Sequence, residues 1–187
     1  MPKNLVSKSC VKAVDYDKDG DLDLFVGGRV IPGKYPHAVS SFIFRNDLKN
    51  GNAQFIDVTA TVAKELLNVG LVCDVIWSDY DNDGWPDLIV TGEWMPITIF
   101  KNNQGLLQNI TETSGIAQDL GWWNSITAGD FDNDGDIDYI AGNLGTKSYY
   151  RISNQFPAHI YAADFDQNGS YDAIPTLFMP AIDGSRK

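Results

Sequence analysis

The chain reads as an all-β protein, a partial β-propeller built from four-stranded antiparallel blades with acidic hairpin loops. Three observations predict this. One acidic nine-residue pattern is written four times. Short runs rich in β-branched and aromatic residues separate the copies. Helical character is confined to a short stretch, roughly 61–68.

The repeats are DYDKDGDLDLFVGG from Asp15, DYDNDGWPDLIVTG from Asp79, DFDNDGDIDYIAGN from Asp130 and DFDQNGSYDAIPTL from Asp164. Each reads Asp, aromatic, Asp, any, Asp or Asn, Gly, two variable positions and Asp, then turns apolar. A fixed internal pattern that recurs at intervals of 64, 51 and 34 residues marks a repeat architecture. In the first unit, strands are expected at Cys10–Val14, Leu22–Gly28, Ser41–Arg45 and Gln54–Val58. The second unit repeats them at Val72–Trp77, Leu88–Thr91, Ile97–Lys101 and, more weakly, Leu107–Ile110. Four strands per unit of this length are the mark of a propeller blade. The blades expected are 9–60, 71–112, 123–157 and 158–187, as one array that forms a fragment of a larger propeller. The third is irregular, with a loop expected from Tyr149 to Pro157, and the fourth is truncated.

Like charges this dense raise one another's pKa and strain the fold unless something positive, a basic partner segment or a bound cation, sits among them. No Lys/Arg cluster lies nearby in sequence, which favours a bound ion. Oxygen donors at positions 1, 3 and 5 point inward when a chain curls around a hard cation. Glycine at position 6 permits the turn, a carbonyl near position 7 adds an oxygen, and the carboxylate at position 9 closes the shell. An all-oxygen set favours calcium over zinc or copper, and magnesium is the weaker fit because it prefers a smaller, wetter shell. An EF-hand begins similarly but needs Glu at position 12, where this chain has Val26, Val90, Ala141 and Pro175. Metal-free Asp-Gly hairpin turns are the plainer alternative. They do not account for carboxylates at positions 1, 3 and 9.

Composition narrows the function classes. A hydrophobic share of 43% is that of a folded chain. The net charge of −11 argues against nucleic acid and anionic membrane as partners. Seventeen of the 25 acidic residues fall in the four repeats. No apolar run is long enough to span a membrane, and Met1-Pro-Lys-Asn lacks the features of a signal peptide. That start and the end at Asp183-Gly-Ser-Arg-Lys187 read as cuts from a longer protein. Cys10 and Cys73 read as buried free thiols, with a disulfide as the alternative. The two histidines, His37 in a loop and His159 at a strand start, form no catalytic constellation, and no nucleophile elbow or phosphate loop appears. Aspartate pairs can act in glycosidases, but equivalent repeated sites point to scaffolding, so no enzyme is expected. Trp85, Trp94, Trp122 and Trp123 could stack on sugars or anchor a protein, or pack between blades. Glu93 and Glu112 read as plain loop or turn acids.

At these loops the sequence resembles the FG-GAP (VCBS) repeats of integrin-α-like β-propellers. The resemblance implies calcium loops between the first two strands of a blade, three to four ions in all. The first would bind through Asp15, Asp17, Asp19, the Asp21 carbonyl and Asp23. The second would use Asp79, Asp81, Asp83, the Trp85 carbonyl and Asp87. In the third the ligands would be Asp130, Asp132, Asp134, the Asp136 carbonyl and Asp138. The fourth departs from the pattern, with Asn168 joining Asp164, Asp166, the Ser170 carbonyl and Asp172, and should bind more weakly. More narrowly, Gly92-Glu-Trp-Met-Pro-Ile97, Gly121-Trp-Trp-Asn-Ser-Ile126 and Gly142-Asn-Leu-Gly145 are similar to the repeats of bacterial surface proteins that carry an ASPIC/UnbV module. The Phe-Gly-Gly-Ala-Pro consensus is not written out, and Phe25-Val-Gly-Gly28 is its nearest relic. The resemblance implies an extracellular, cell-surface or periplasmic location. The function expected is a calcium-stabilised scaffold for extracellular protein or carbohydrate ligands. Its other contacts would be the remaining blades of the parent protein or further copies of itself. The alternative is an accessory propeller domain of a polysaccharide-processing enzyme.

Overall fold

A computed structural model describes residues 5–145, 152–153 and 155–179. Its architecture is all-β and antiparallel. Strands β1 (Ser7–Val14), β2 (Asp23–Val30), β3 (Phe42–Asn46) and β4 (Phe55–Asp57) form a four-stranded sheet in chain order. The expected helical stretch resolves into a single turn, α1 (Thr59–Val62), followed by a 3-10 turn at Lys64–Leu66. Too short to be stable alone, this segment caps the sheet by burying Ala63 and Leu66.

The second unit repeats the meander as β5 (Leu71–Ser78), β6 (Asp87–Met95), β7 (Thr98–Asn103) and β8 (Leu106–Asn109). Strand β6 is buried along nearly its whole length. That explains why Leu88-Ile-Val reads as a continuous apolar run rather than an alternation. Strand β7 does alternate: Thr98, Phe100 and Asn102 are buried, while Ile99 and Lys101 are partly open.

Strands β9 (Gly121–Gly129) and β10 (Asp138–Asn143) pair with each other, as do β11 (His159–Ala163) and β12 (Asp172–Thr176). The third unit does not stand apart as its own sheet. Strand β9 pairs with β6 at Glu93↔Trp122 and Met95↔Gly121, which makes β5–β10 one six-stranded sheet. Among the described residues the third and fourth units hold two strands each. Of the expected loop from Tyr149 to Pro157, the described part contains a bridge between Ser153 and Phe156. The rest of that loop, and the two chain ends read as cuts, lie outside the described residues. No described helix is long and apolar enough to cross a membrane.

The core lies between the first two sheets. Tyr16, Phe25 and Ile43 from one side meet Val72, Val75, Leu88, Val90, Phe100 and Leu107 from the other. Fully burying a side chain of this kind is worth about 1.5–3 kcal/mol. Cys10 and Cys73 are half-buried and free, not joined in a disulfide, and burial pushes both thiols up. The hairpins β1–β2, β5–β6, β9–β10 and β11–β12 each carry one acidic repeat at the turn.

Candidate metal centres

The four acidic loops share one hydrogen-bond pattern. Position 1 accepts from two backbone N–H groups further along. Asp15 takes them from Asp19 and Gly20 (3.1 and 3.1 Å), and Asp79 from Asp83 and Gly84 (2.9 and 2.8 Å). Asp130 takes them from Asp134 and Gly135 (3.2 and 3.1 Å), and Asp164 from Asn168 and Gly169 (2.9 and 2.8 Å). Position 5 accepts from the N–H of position 7: Asp19 from Asp21, Asp83 from Trp85, Asp134 from Asp136 and Asn168 from Ser170. Position 9 folds back to accept the N–H of position 2: Asp23 from Tyr16, Asp87 from Tyr80, Asp138 from Phe131 and Asp172 from Phe165.

The backbone makes these bonds by turning twice through the left-handed region. Position 4 (Lys18, Asn82, Asn133, Gln167) has φ between 56° and 62°, and the following glycine reaches 89° to 100°. The glycine is required at the second turn, where other residues are strained.

Carboxylate oxygens converge in every loop. One oxygen each from Asp79, Asp81 and Asp87 lies within 4.8 Å of the others, and so do those of Asp130, Asp132 and Asp138, and of Asp164, Asp166 and Asp172. In the first loop the converging set is Asp15, Asp17 and Asp19. Position 5 thus joins the cluster only in the first loop, and position 9 only in the other three. These clusters could hold a metal ion. The donor chemistry fits a hard cation, because every converging atom is a carboxylate oxygen. In the first loop Asp17 Oδ1, a member of the converging set, is buried without a hydrogen-bond partner, a costly condition that a cation would relieve.

Position 9 also ties loop to sheet. The other oxygen of Asp23 accepts the Asn46 N–H of β3 (2.8 Å), and that of Asp87 accepts the Asn102 N–H of β7 (2.7 Å). Burial pushes the Asp23 carboxyl up to about 6, although these N–H bonds pull it partly back. Asp87 moves the same way for the same reason, and burial also raises Asp17.

Two features escaped the sequence reading. Lys101 of β7 reaches Asp81 and Asp83 of the second loop, the latter at 3.0 Å. The same register position in β3 is Arg45, which pairs instead with Asp47 at 2.6 Å. The near-identical strands Phe44-Arg-Asn46 and Phe100-Lys-Asn102 hinted at it, but only the fold brings Lys101 to a loop some twenty residues earlier. The second feature corrects the reading of Glu93 as a plain turn acid. It lies in β6, only 7% exposed, accepts from Tyr35 Oη at 3.0 Å and pairs with Arg29. Glu112 is exposed in a 3-10 turn beside the buried Thr111, as a turn acid is expected to be.

Residues 79–141 match the FG-GAP-like repeat family. The FG-GAP-like stretch spans the second and third acidic loops with strands β6–β9 and most of β10. The first and fourth loops lie outside it, yet they carry the same bonds at positions 1, 2, 5, 6, 7 and 9 as the two FG-GAP-like loops inside. No curated protein matches the chain.

Proposed function

We propose that the chain is a calcium-stabilised β-propeller scaffold for extracellular protein or glycan ligands, with no catalytic role of its own. The observation that carries this reading is the fourfold recurrence of one loop geometry, with three carboxylates converging each time. A turn needs one or two such side chains, whereas a calcium shell needs several oxygens from one short loop. The residues that would hold the ions are those at positions 1, 3, 5 and 9, with the carbonyl at position 7. Calcium would neutralise the loops and fix the angle between paired strands, and binding to the folded state alone adds to stability.

The match to FG-GAP-like repeats supports the propeller and an exported location. Residues at equivalent places in the repeat support an incomplete ring. Tyr16 and Phe25 of the first repeat are 1% and 0% exposed, whereas Phe131 and Ile140 of the third are 51% and 54%, and Phe165 and Ile174 of the fourth are 58% and 50%. Apolar surface of this kind is what further blades of a parent protein, or further copies of the chain, would cover.

The test is thermal unfolding of metal-stripped protein with and without millimolar calcium, together with a count of bound metal. Three to four ions per chain and a clear rise in midpoint are expected. No bound metal and no shift would leave the aspartates as turn formers and sink the calcium reading.

A further inference from the structure

One acidic loop is already met by a positive charge of the chain's own. Lys101 Nζ, from β7, pairs with Asp81 Oδ2 and lies 3.0 Å from Asp83 Oδ2. These are positions 3 and 5 of the second loop, from which a cation would draw oxygens. We propose that Lys101 is an internal competitor of the cation at the second loop, which therefore fills only at a higher calcium concentration than its carboxylates alone would require. The proposal rests on the calcium reading and adds a regulator to one of its sites.

The competition is for atoms as well as for charge. Asp83 commits Oδ1 to the Trp85 N–H (2.9 Å) and Oδ2 to Lys101, so neither oxygen is left for an ion until the lysine withdraws. Asp83 stands outside the converging set of its loop, whereas Asp19, its equivalent in the first loop, is a member. Asp81 does belong to the set, and an ion that uses it must displace the ammonium. Charge-assisted bonds of this kind are stronger than neutral ones, while the flexible four-carbon stem of lysine allows it to leave. A second positive charge stands close by. Lys18 of the first loop lies over the Trp85 ring, 4.5 Å from its centroid.

Strand sequence decides which loop is met in this way. Phe44-Arg-Asn-Asp47 and Phe100-Lys-Asn-Asn103 start at the same register, Phe44 opposite Leu24 of β2 and Phe100 opposite Leu88 of β6. Residues two apart on a strand share a face. Asp47 therefore holds Arg45 away from the first loop, accepting from Nε at 2.6 Å and from a terminal guanidinium nitrogen at 3.3 Å. The second strand has Asn103 at that place, an amide with no charge to hold a lysine, and Lys101 turns to the loop instead.

The test is a calcium titration of the metal-stripped full chain, read by NMR at the position-6 glycines. Each donates its N–H to position 1 of its own loop, so Gly84 reports the second loop and Gly135 the third. Lys101→Met keeps an apolar stem and removes the charge. It should lower the Gly84 midpoint about tenfold, more than an exposed single pair would give because two carboxylates are released. The Gly135 midpoint should move by no more than about twofold. Asn103→Asp keeps Lys101 and offers it the carboxylate that holds Arg45 in the first sheet. It should also lower the Gly84 midpoint, and should add little in the Lys101→Met background because it acts through the lysine. An unchanged Gly84 midpoint in both single variants, or an equal gain from Asn103→Asp with and without Lys101, would overturn the proposal. So would a Gly135 midpoint that falls as far as that of Gly84, since the charge would then act on the whole molecule. Silence of all four glycines in every variant would sink the calcium reading and the proposal with it. A response at Gly20 and Gly135, with Gly84 indifferent to Lys101, would sink the proposal alone.

Discussion

Asp23 does two jobs with one carboxylate: it closes its own loop through Tyr16 and holds β3 through Asn46. Its position costs solvation, and burial lifts it from an ordinary value near 3.8 to about 6. Between those values the folded state binds more protons than the unfolded chain, so stability falls as pH rises. Asp87 and Asp17 are raised too and act in the same direction. Metal-stripped protein should therefore show a higher urea midpoint at pH 4.5 than at pH 6.5. Calcium, which favours the ionised carboxylate, should remove or reverse that trend. The loop turns were legible because each repeat writes out positions 1, 5, 6 and 9, whose hydrogen bonds or backbone turn recur four times. Which carboxylates converge was not, since Asp19 joins the set in the first loop whereas Asp87, Asp138 and Asp172 join it in the others. Lys101 and Glu93 were not legible. The first reaches its loop only through strand register, and the second is hydrogen-bonded by a tyrosine 58 residues earlier.

Strands were legible where burial is two-sided or alternates. The run at Leu88–Thr91 lies within β6 and that at Ile97–Lys101 enters β7 from Thr98 onward, and the expected helical stretch shrank to short turns because it is too brief to propagate. What no local pattern announced was the joining of β9 to β6, a non-local register fixed at Glu93, Met95, Gly121 and Trp122. Close backbone approach inside the sheets gives a sharper prediction. A Cβ on Gly28 would stand 2.2 Å from the Ser40 carbonyl oxygen, which cannot move without parting β2 from the segment leading into β3. On the exposed Gly142 it would meet only the rotatable Ser125 hydroxyl at 2.8 Å. Gly28→Ala should cost about 1–3 kcal/mol in chemical denaturation, whereas Gly142→Ala should stay within about 0.5 kcal/mol. Equal losses would mean that the Ser40 carbonyl can yield to a Cβ on Gly28.

At the scale of the molecule, one side chain spans the two best-buried sheets. The fully buried Asn102 donates through Nδ2 to the carbonyls of Tyr16 (2.8 Å) and Pro86 (2.9 Å), and its own carbonyl accepts the Gly105 N–H. Asn102→Ala orphans these buried groups and should lower the unfolding free energy by about 3 kcal/mol, read as a drop in the denaturant midpoint. The same residue gives its backbone N–H to Asp87, while Tyr16 gives its own to Asp23. A continuous line thus runs from the closing carboxylate of the first loop, through Tyr16 and Asn102, to that of the second. In a repeat array, stability is the sum of unit terms and nearest-neighbour terms, and this line is a nearest-neighbour term with an address. If ions order these loops, filling one prepares the next. The pair would then respond cooperatively, over a narrower span of calcium concentration than two independent sites.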